Sequence, residues 1–566
     1  MNIRNIYLGL SMLFCLILGT ACSEDPIVEN PSGETFIYSL NITNAGLTGT
    51  EVVQGTLNEE AKTVDFTIAA ESDIYAIKFG GKLSLGAKLD QETYDVSSGS
   101  AQVTVVNVEN TCAYTVNVTL LEPVAKPLVQ KVTLRDASGV EKAAFVSDLD
   151  KTIYMKSPES EWVEIVSIES LPKRSVATWT AMTEDGKIYA SNPGQVIMDF
   201  EGIKAEYRVL FDANPVFGAD FNAVSVYDFS GRTTSYPDFT GEMVRSTDFD
   251  GNSMLIVSRS GGTFPKVMKY LDIKTGAPVE TVLDVTGIAG GTHLISAGRL
   301  SHGHIYICNL TTSVGADQPL KVYHWASNEA GVAPDVVVDF VGEGVTKLDV
   351  AEGEEPIVTW AGRLGDNMSI NLDENGNGYA FFLPQEGATL ALRYTVTNFT
   401  EFSEPTMLTL EVGGDYYASI NKVAGSDDEY VYTSTKAPIV IIDHNGKTKL
   451  TLGAEAVPLR ATDARIITYD AERYLIMTTG RAKWAADPVS AFYVYNISEG
   501  SNTMLALKNF DELEERIPVF SYELAGTGGS AHSANTGFGI SDEGNLLLMS
   551  SATVTGFSIF EFPEKQ

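Results

Sequence analysis

Eight times along this chain a polar turn leads directly into a short apolar run, and that recurrence limits what the chain can fold into. The turns begin at Asp148, Glu184, Asp248, Ser301, Asp373, Ser426, Tyr469 and Asp542. The runs that follow begin at Ile153, Ile188, Met254, Ile305, Tyr379, Tyr430, Tyr474 and Leu546, and most end in a small or polar residue. Apolar runs this short, rich in aromatic and branched residues and bounded by Gly and Asp, form strands rather than helices. Short-strand units repeated every few tens of residues point to sheets arranged radially, about four strands to each. The length from residue 128 to 566 predicts a β-propeller of seven or eight blades. Its last unit, Phe538 to Phe562, supplies about three strands, and Leu128 to Leu134 is the expected fourth. A pair of β-sandwiches is the alternative architecture. A helical turn is expected only near Asp511 to Arg516.

Ahead of this body the pattern changes. Phe36, Tyr38, Leu40 and Ile42 alternate with polar residues, as do Val64, Phe66 and Ile68. Val103 and Val105 continue the period, and Tyr114, Val116, Val118 and Leu120 complete it. This predicts a sandwich of immunoglobulin size over residues 35–122. Pro123 and Pro127 bracket a stiff linker at residues 123–127. The whole chain is therefore expected to be all-β, an Ig-like β-sandwich followed by a propeller over 128–566.

At the chain start, Arg4 precedes an apolar run from Ile6 to Leu18, then Gly19, Thr20, Ala21 and Cys22. These are the parts of a secretory signal over residues 1–21, with a run too short to span a bilayer. A cysteine after small residues at the cleavage point resembles the lipobox of bacterial lipoproteins, which implies acylation of Cys22. The usual leucine three places earlier is Gly19 here, with Leu18 one step further out. Residues 22–34 read as an acidic tether. Within it, Ser23, Glu24 and Asp25 resemble the export tag of Bacteroidetes surface lipoproteins. The resemblance implies a lipid-anchored protein on the outer face of the outer membrane, a small Ig-like spacer, and a place in a glycan-capture system beside an outer-membrane transporter.

The formal net charge of −35 opposes nucleic acid and anionic headgroups and is compatible with a neutral sugar ligand. Of four cysteines, Cys15 leaves with the signal and Cys22 takes the lipid, so Cys112 and Cys308 are expected as buried free thiols.

In a propeller, the loops after second strands and those linking blades share one face. That rule gathers Trp179, Arg259, His293, Trp360, Arg363, Lys436, Arg460, Arg481, Trp484 and His532 as candidate ligand residues. Three of the chain's five tryptophans are among them. Indole planes stack on sugar C–H faces, and side-chain amides and guanidinium groups bond the sugar hydroxyls, so a polysaccharide or oligosaccharide is the expected ligand. A polysaccharide hydrolase or lyase is the alternative, with Glu352, Glu354, Glu355 and Asp366 as its source of carboxylates. A protein-binding scaffold or adhesin is the third reading. Asp373, Asn375 and Asn377 fit the first half of a calcium loop, but Pro384 stands where the closing glutamate belongs. The segment is expected to be a hairpin turn without cofactor, a single calcium being the alternative. His302 and His304, on either side of Gly303, are expected in a solvated turn.

Overall fold

The computed structural model describes residues 33–566 apart from short segments at 48, 50, 148–150, 156–160, 212–215, 330, 349, 351–354, 384–388, 415–416, 427, 436, 454–460, 482–488, 501, 527 and 532. Cys22, the signal and most of the tether therefore lie outside the described residues. The chain divides into two compact units, residues 1–125 with 171–174 and the remainder. Strand makes up 52% of it and helix 4%, so sheets alone set the architecture.

The first unit has two sheets over one core. Ile37–Ala45 pairs with Glu51–Gln54 and Phe79–Leu83, while Thr63–Ile68 lies beside Asn110–Leu120 in a five-stranded sheet. Leu40, Ile42, Val64, Phe66, Val103, Val105, Tyr114 and Val116 fill the space between them. The expected alternation fails at the start: Phe36 and Tyr38 are exposed and Ile37 is buried. A register shift between Ile37 and Ser39 is the cause, because one extra residue exchanges the two faces of a strand. Thr63–Ile68 also runs parallel to Asn110–Leu120.

Residues 128–211 correct the propeller boundary. They form two sheets of their own over a core that includes Val132, Ile153, Ile188, Met198 and Tyr207. Leu128–Asp136 pairs with Glu141–Ala143 in one of them and closes no ring. The first two of the eight repeated units belong here, which removes two of the expected blades.

The other six units each supply the second strand of a sheet, four-stranded in five cases and seven-stranded in the third. The innermost strands are Val244–Phe249, His293–Ser301, Ser369–Leu372, Ser419–Lys422, Ala461–Tyr469 and Ala534–Ile540. Each abuts the next, and the sixth abuts the first, so the sheets form a propeller-like ring. The count is six rather than seven or eight. Ser225–Asp228, not the segment at Leu128, supplies the last sheet's outer strand by pairing with Gly556–Phe562.

Apolar clusters fill the gaps between neighbouring sheets. One joins Tyr306 and Cys308 to Phe382 and Leu392, another Phe381 to Tyr430 and Tyr432, another Ile441 to Leu475 and Met477. Tyr474 and Phe492 meet Leu548 and Phe560, and one large cluster links the sixth, first and second sheets around Met254, Ile307 and Met549. Second strands are thus covered on both faces, as the unbroken burial of Leu546–Ala552 shows. That double burial is why their sequence is continuously apolar. Outer strands such as Glu280–Val282 stay largely exposed and carry little pattern. The longest helix among the described residues, Thr503–Glu512, lies N-terminal to its expected place and adds Leu507 and Phe510 to the core between the fourth and fifth sheets.

Candidate functional site

One end of the ring's channel collects the starts of four successive inner strands, and charged side chains converge there. Arg245 is the second residue of the first inner strand, and His293 opens the second. Arg363 and Asp366 precede the third, Tyr417 precedes the fourth, and Arg259 follows a second strand.

Asp366 organises the group. Its side chain is 4% exposed and accepts from two guanidiniums. Arg259 Nη2 reaches Oδ1 at 3.0 Å, Arg363 Nη2 reaches the same oxygen at 2.7 Å, and Arg363 Nε holds Oδ2. Arg259 is fixed further by Nε donating to Ser296 Oγ at 2.9 Å. Arg245 donates from Nη1 to the Tyr417 hydroxyl at 2.9 Å and from Nε to the Glu242 carbonyl. A buried carboxylate between two arginines costs desolvation, which paired hydrogen bonds offset; what the arrangement gives in return is fixed geometry.

His293 is half-buried. Burial lowers its pKa, the charges of Arg259, Arg245 and Arg363 lower it further, and a hydrogen bond with the Arg259 backbone opposes them. At neutral pH its ring is uncharged and one nitrogen can accept a proton. Burial raises the Tyr417 pKa, so its phenol stays protonated.

Three of the sequence candidates, Arg259, His293 and Arg363, are therefore brought together, with Asp366 beside them. Two are not. Trp179 lies in the 128–211 sheets, packed in their core with Nε1 donating to the Pro193 carbonyl at 2.6 Å. Trp360 is buried in the core between the second and third sheets, with Nε1 donating to the Gly362 carbonyl. Both indoles are packing residues, because their large apolar faces are best removed from water in a sheet interface. Arg481 follows the second strand of the fifth sheet, and its buried Nε has no hydrogen-bond partner among the described residues. Lys436, Arg460, Trp484 and His532 lie outside the described residues, as do Glu352 and Glu354. Arg245 and Tyr417 were missed, although each stands within two residues of an inner-strand start, the same positional signal that marks His293.

Below the mouth the channel is crossed by hydrogen bonds. Arg299 donates to Asn367 at 2.8 Å, and Asp463 accepts from Ser419, Asn421 and Thr536. Arg465 meets Asp248 at 2.6 Å. At the opposite end a polar cavity of about 680 Å³ opens among Asp250, Asn252, His302, Asn371, Asn421 and Lys422. Burial raises the Asp250 pKa and the neighbouring Asp248 charge adds to the effect. His302 borders this cavity, while His304 stacks on Phe399 with ring centres 4.0 Å apart and bonds His324 at 2.8 Å, so the pair is not simply solvated.

The Asp373 turn is a hairpin between Ser369–Leu372 and Gly378–Phe382. Asp373 Oδ1 accepts from the backbone amides of Asn375 and Asn377 at 2.9 and 2.8 Å. Among the described residues no group of three His, Cys, Asp or Glu side chains is placed to hold a metal ion. Cys112 and Cys308 are free thiols, the latter buried and the former partly so. Among the described residues no helix is long and apolar enough to cross a membrane.

Residues 26–148 and 204–565 match DUF4623, a domain of unknown function. The chain belongs to this family. The stretch between the two matched regions falls mostly within the 128–211 sheets. A crystal structure of a DUF4623 family protein from Bacteroides eggerthii is 26% identical, with a TM-score of 0.54 over 94% of this chain and 99% of that one. Family and relative together make this DUF4623 chain a Bacteroidetes-type protein. The WD40 beta propeller domain of Doa1 aligns at 12% identity and TM-score 0.29 over 56% of this chain and 92% of that one. AofleA from Arthrobotrys oligospora aligns at 8% identity and TM-score 0.33 over 59% and 84%. No curated protein matches the chain.

Proposed function

We propose that this is a lipid-anchored protein of the outer-membrane surface that binds glycan without cutting it, working beside a transporter in carbohydrate uptake. The observation that carries the reading is the meeting of Arg245, Arg259, His293, Arg363 and Tyr417 around Asp366 at one end of the ring. Guanidinium, imidazole and phenol groups held at fixed angles suit a ligand made of many hydroxyls. Trp179 and Trp360, packed in sheet cores, offer no face for a sugar to stack on. The Ig-like reading of the first sandwich makes it a spacer between lipid and ring.

Affinity electrophoresis against neutral and acidic polysaccharides, with product analysis of the same mixtures, tests the reading. Retarded migration without new oligosaccharides is the expected result, and a chain that no glycan retards refutes it. Cys22→Ser is expected to move the protein from the membrane fraction to the soluble fraction; a variant still held in the membrane refutes the anchor. A lyase is the second reading, favoured by the uncharged His293 ring beside three guanidiniums. It predicts release of unsaturated fragments, which His293→Gln abolishes.

A further inference from the structure

The arrangement of donors at the mouth says more about the ligand than its hydroxyls do. Three guanidiniums, from Arg245, Arg259 and Arg363, converge where one carboxylate, Asp366, is bound. Among the described residues the three guanidiniums outnumber this one carboxylate, which Arg259 and Arg363 share. The nearby Glu242 carboxylate is directed to the backbone amide and hydroxyl of Ser530. Two donors point elsewhere than Asp366: among the described residues no acceptor pairs with Arg259 Nη1 or Arg245 Nη2. Arg259 is nonetheless 8% exposed, so its unused donor is held at the mouth by the Ser296 and Asp366 bonds.

Resting on the glycan reading, we infer that this mouth recognises the carboxylate of an acidic sugar residue, a uronic or similar acid within a glycan. Guanidinium donors match a planar carboxylate in a two-toothed geometry that a hydroxyl cannot use. The neutral His293 ring and the protonated Tyr417 phenol add uncharged polar groups beside the charge. The chain's net charge of −35 argues against anionic ligands at a distance. At physiological salt that repulsion fades beyond about 8 Å, so at contact the local cluster decides. A long array of phosphates, spread over the acidic surface, gains nothing from one local cluster and stays repelled.

The test uses the full chain in affinity gels with polygalacturonate, alginate and hyaluronan, each beside its carboxyl-reduced neutral form. At least one acidic polymer is expected to retard the protein, with affinity falling tenfold or more on carboxyl reduction and also weakening as salt is raised. Arg245→Gln is expected to lower that affinity about tenfold, with Arg245→Lys recovering part of it. Thermal unfolding of each variant is measured alongside; should Arg245→Gln unfold early, Arg363→Gln takes its place under the same criterion. Equal retardation by acidic and reduced forms, retardation by neutral polymers alone, or an unchanged Arg245→Gln overturns the carboxylate inference and leaves glycan binding standing. No retardation by any polymer overturns both.

Discussion

Among single side chains, His324 offers the clearest pH dependence. Burial first, and the adjacent His304 charge second, together lower its pKa to about 4 against the opposing Asp335 charge. An unfolded imidazole titrates near 6.5, so between the two values the unfolded chain takes up a proton that the folded chain refuses. The folded state is therefore fully favoured above pH 6.5 and loses roughly 2–3 kcal/mol as pH falls towards 4. His324→Gln removes this titration. In urea unfolding at pH 7 and pH 5, the wild type is expected to lose ground to the variant in acid; a constant difference between them sinks the assignment. Residue chemistry of this kind was only partly legible in the sequence. His302 and His304 were visible as a pair flanking a turn, but His324 lies a whole strand away and reaches His304 only because two strands are paired in register. Arg259, His293 and Arg363 were legible because loop position alone identified them. Trp179 and Trp360 were misplaced because nothing local separates an indole that packs from one that faces a ligand.

At the level of strands, neighbouring sheets are tied along the channel by carboxylates that reach across the gaps. Asp463, on the fifth inner strand, is fully buried and bonds Ser419 and Asn421 of the fourth and the Thr536 amide of the sixth. Asp463→Ala takes the acceptor from the buried Thr536 amide and removes one partner each from Ser419 and Asn421, and a loss of roughly 3–5 kcal/mol is expected. Chemical denaturation reads it; a change below about 1 kcal/mol means the three strands are held by packing alone. Second strands were legible at six positions out of eight because burial on both faces demands unbroken apolar runs. The two exceptions, near Ile153 and Ile188, obey the same local rule inside a different pair of sheets. Pairing partners are set by distant residues, which is also why the closing strand was expected at Leu128 and found at Ser225–Asp228. Close approach between strands is equally invisible locally. Gly251 has φ of +94°, and a β-carbon there would come within 2.9 Å of Gly539 on the sixth inner strand.

For the molecule as a whole, each body has a core of its own. The sandwich core from Ile37 to Val118 is made within residues 33–125. That fragment is expected to unfold as one cooperative transition when expressed alone, and residues 126–566 are expected to keep the glycan affinity of the full chain. A fragment that stays unfolded would show that its stability depends on the rest of the chain. Fold class was legible because alternation and repetition are averaged over many residues; the start of the ring was not, since a short polar segment looks alike whether it joins blades or bodies.

The sixth sheet joins Ser225–Asp228 to Gly556–Phe562, partners more than three hundred positions apart. Until Phe562 has been made and delivered, the assembly is an open crescent whose two ends show bare sheet faces to water. Pairing across such a distance is slow, and exposed faces invite aggregation while it waits. Synthesis must therefore complete the entire crescent before the ring can close, and a nonsense mutation near its end would cost the cell the whole ring rather than one strand.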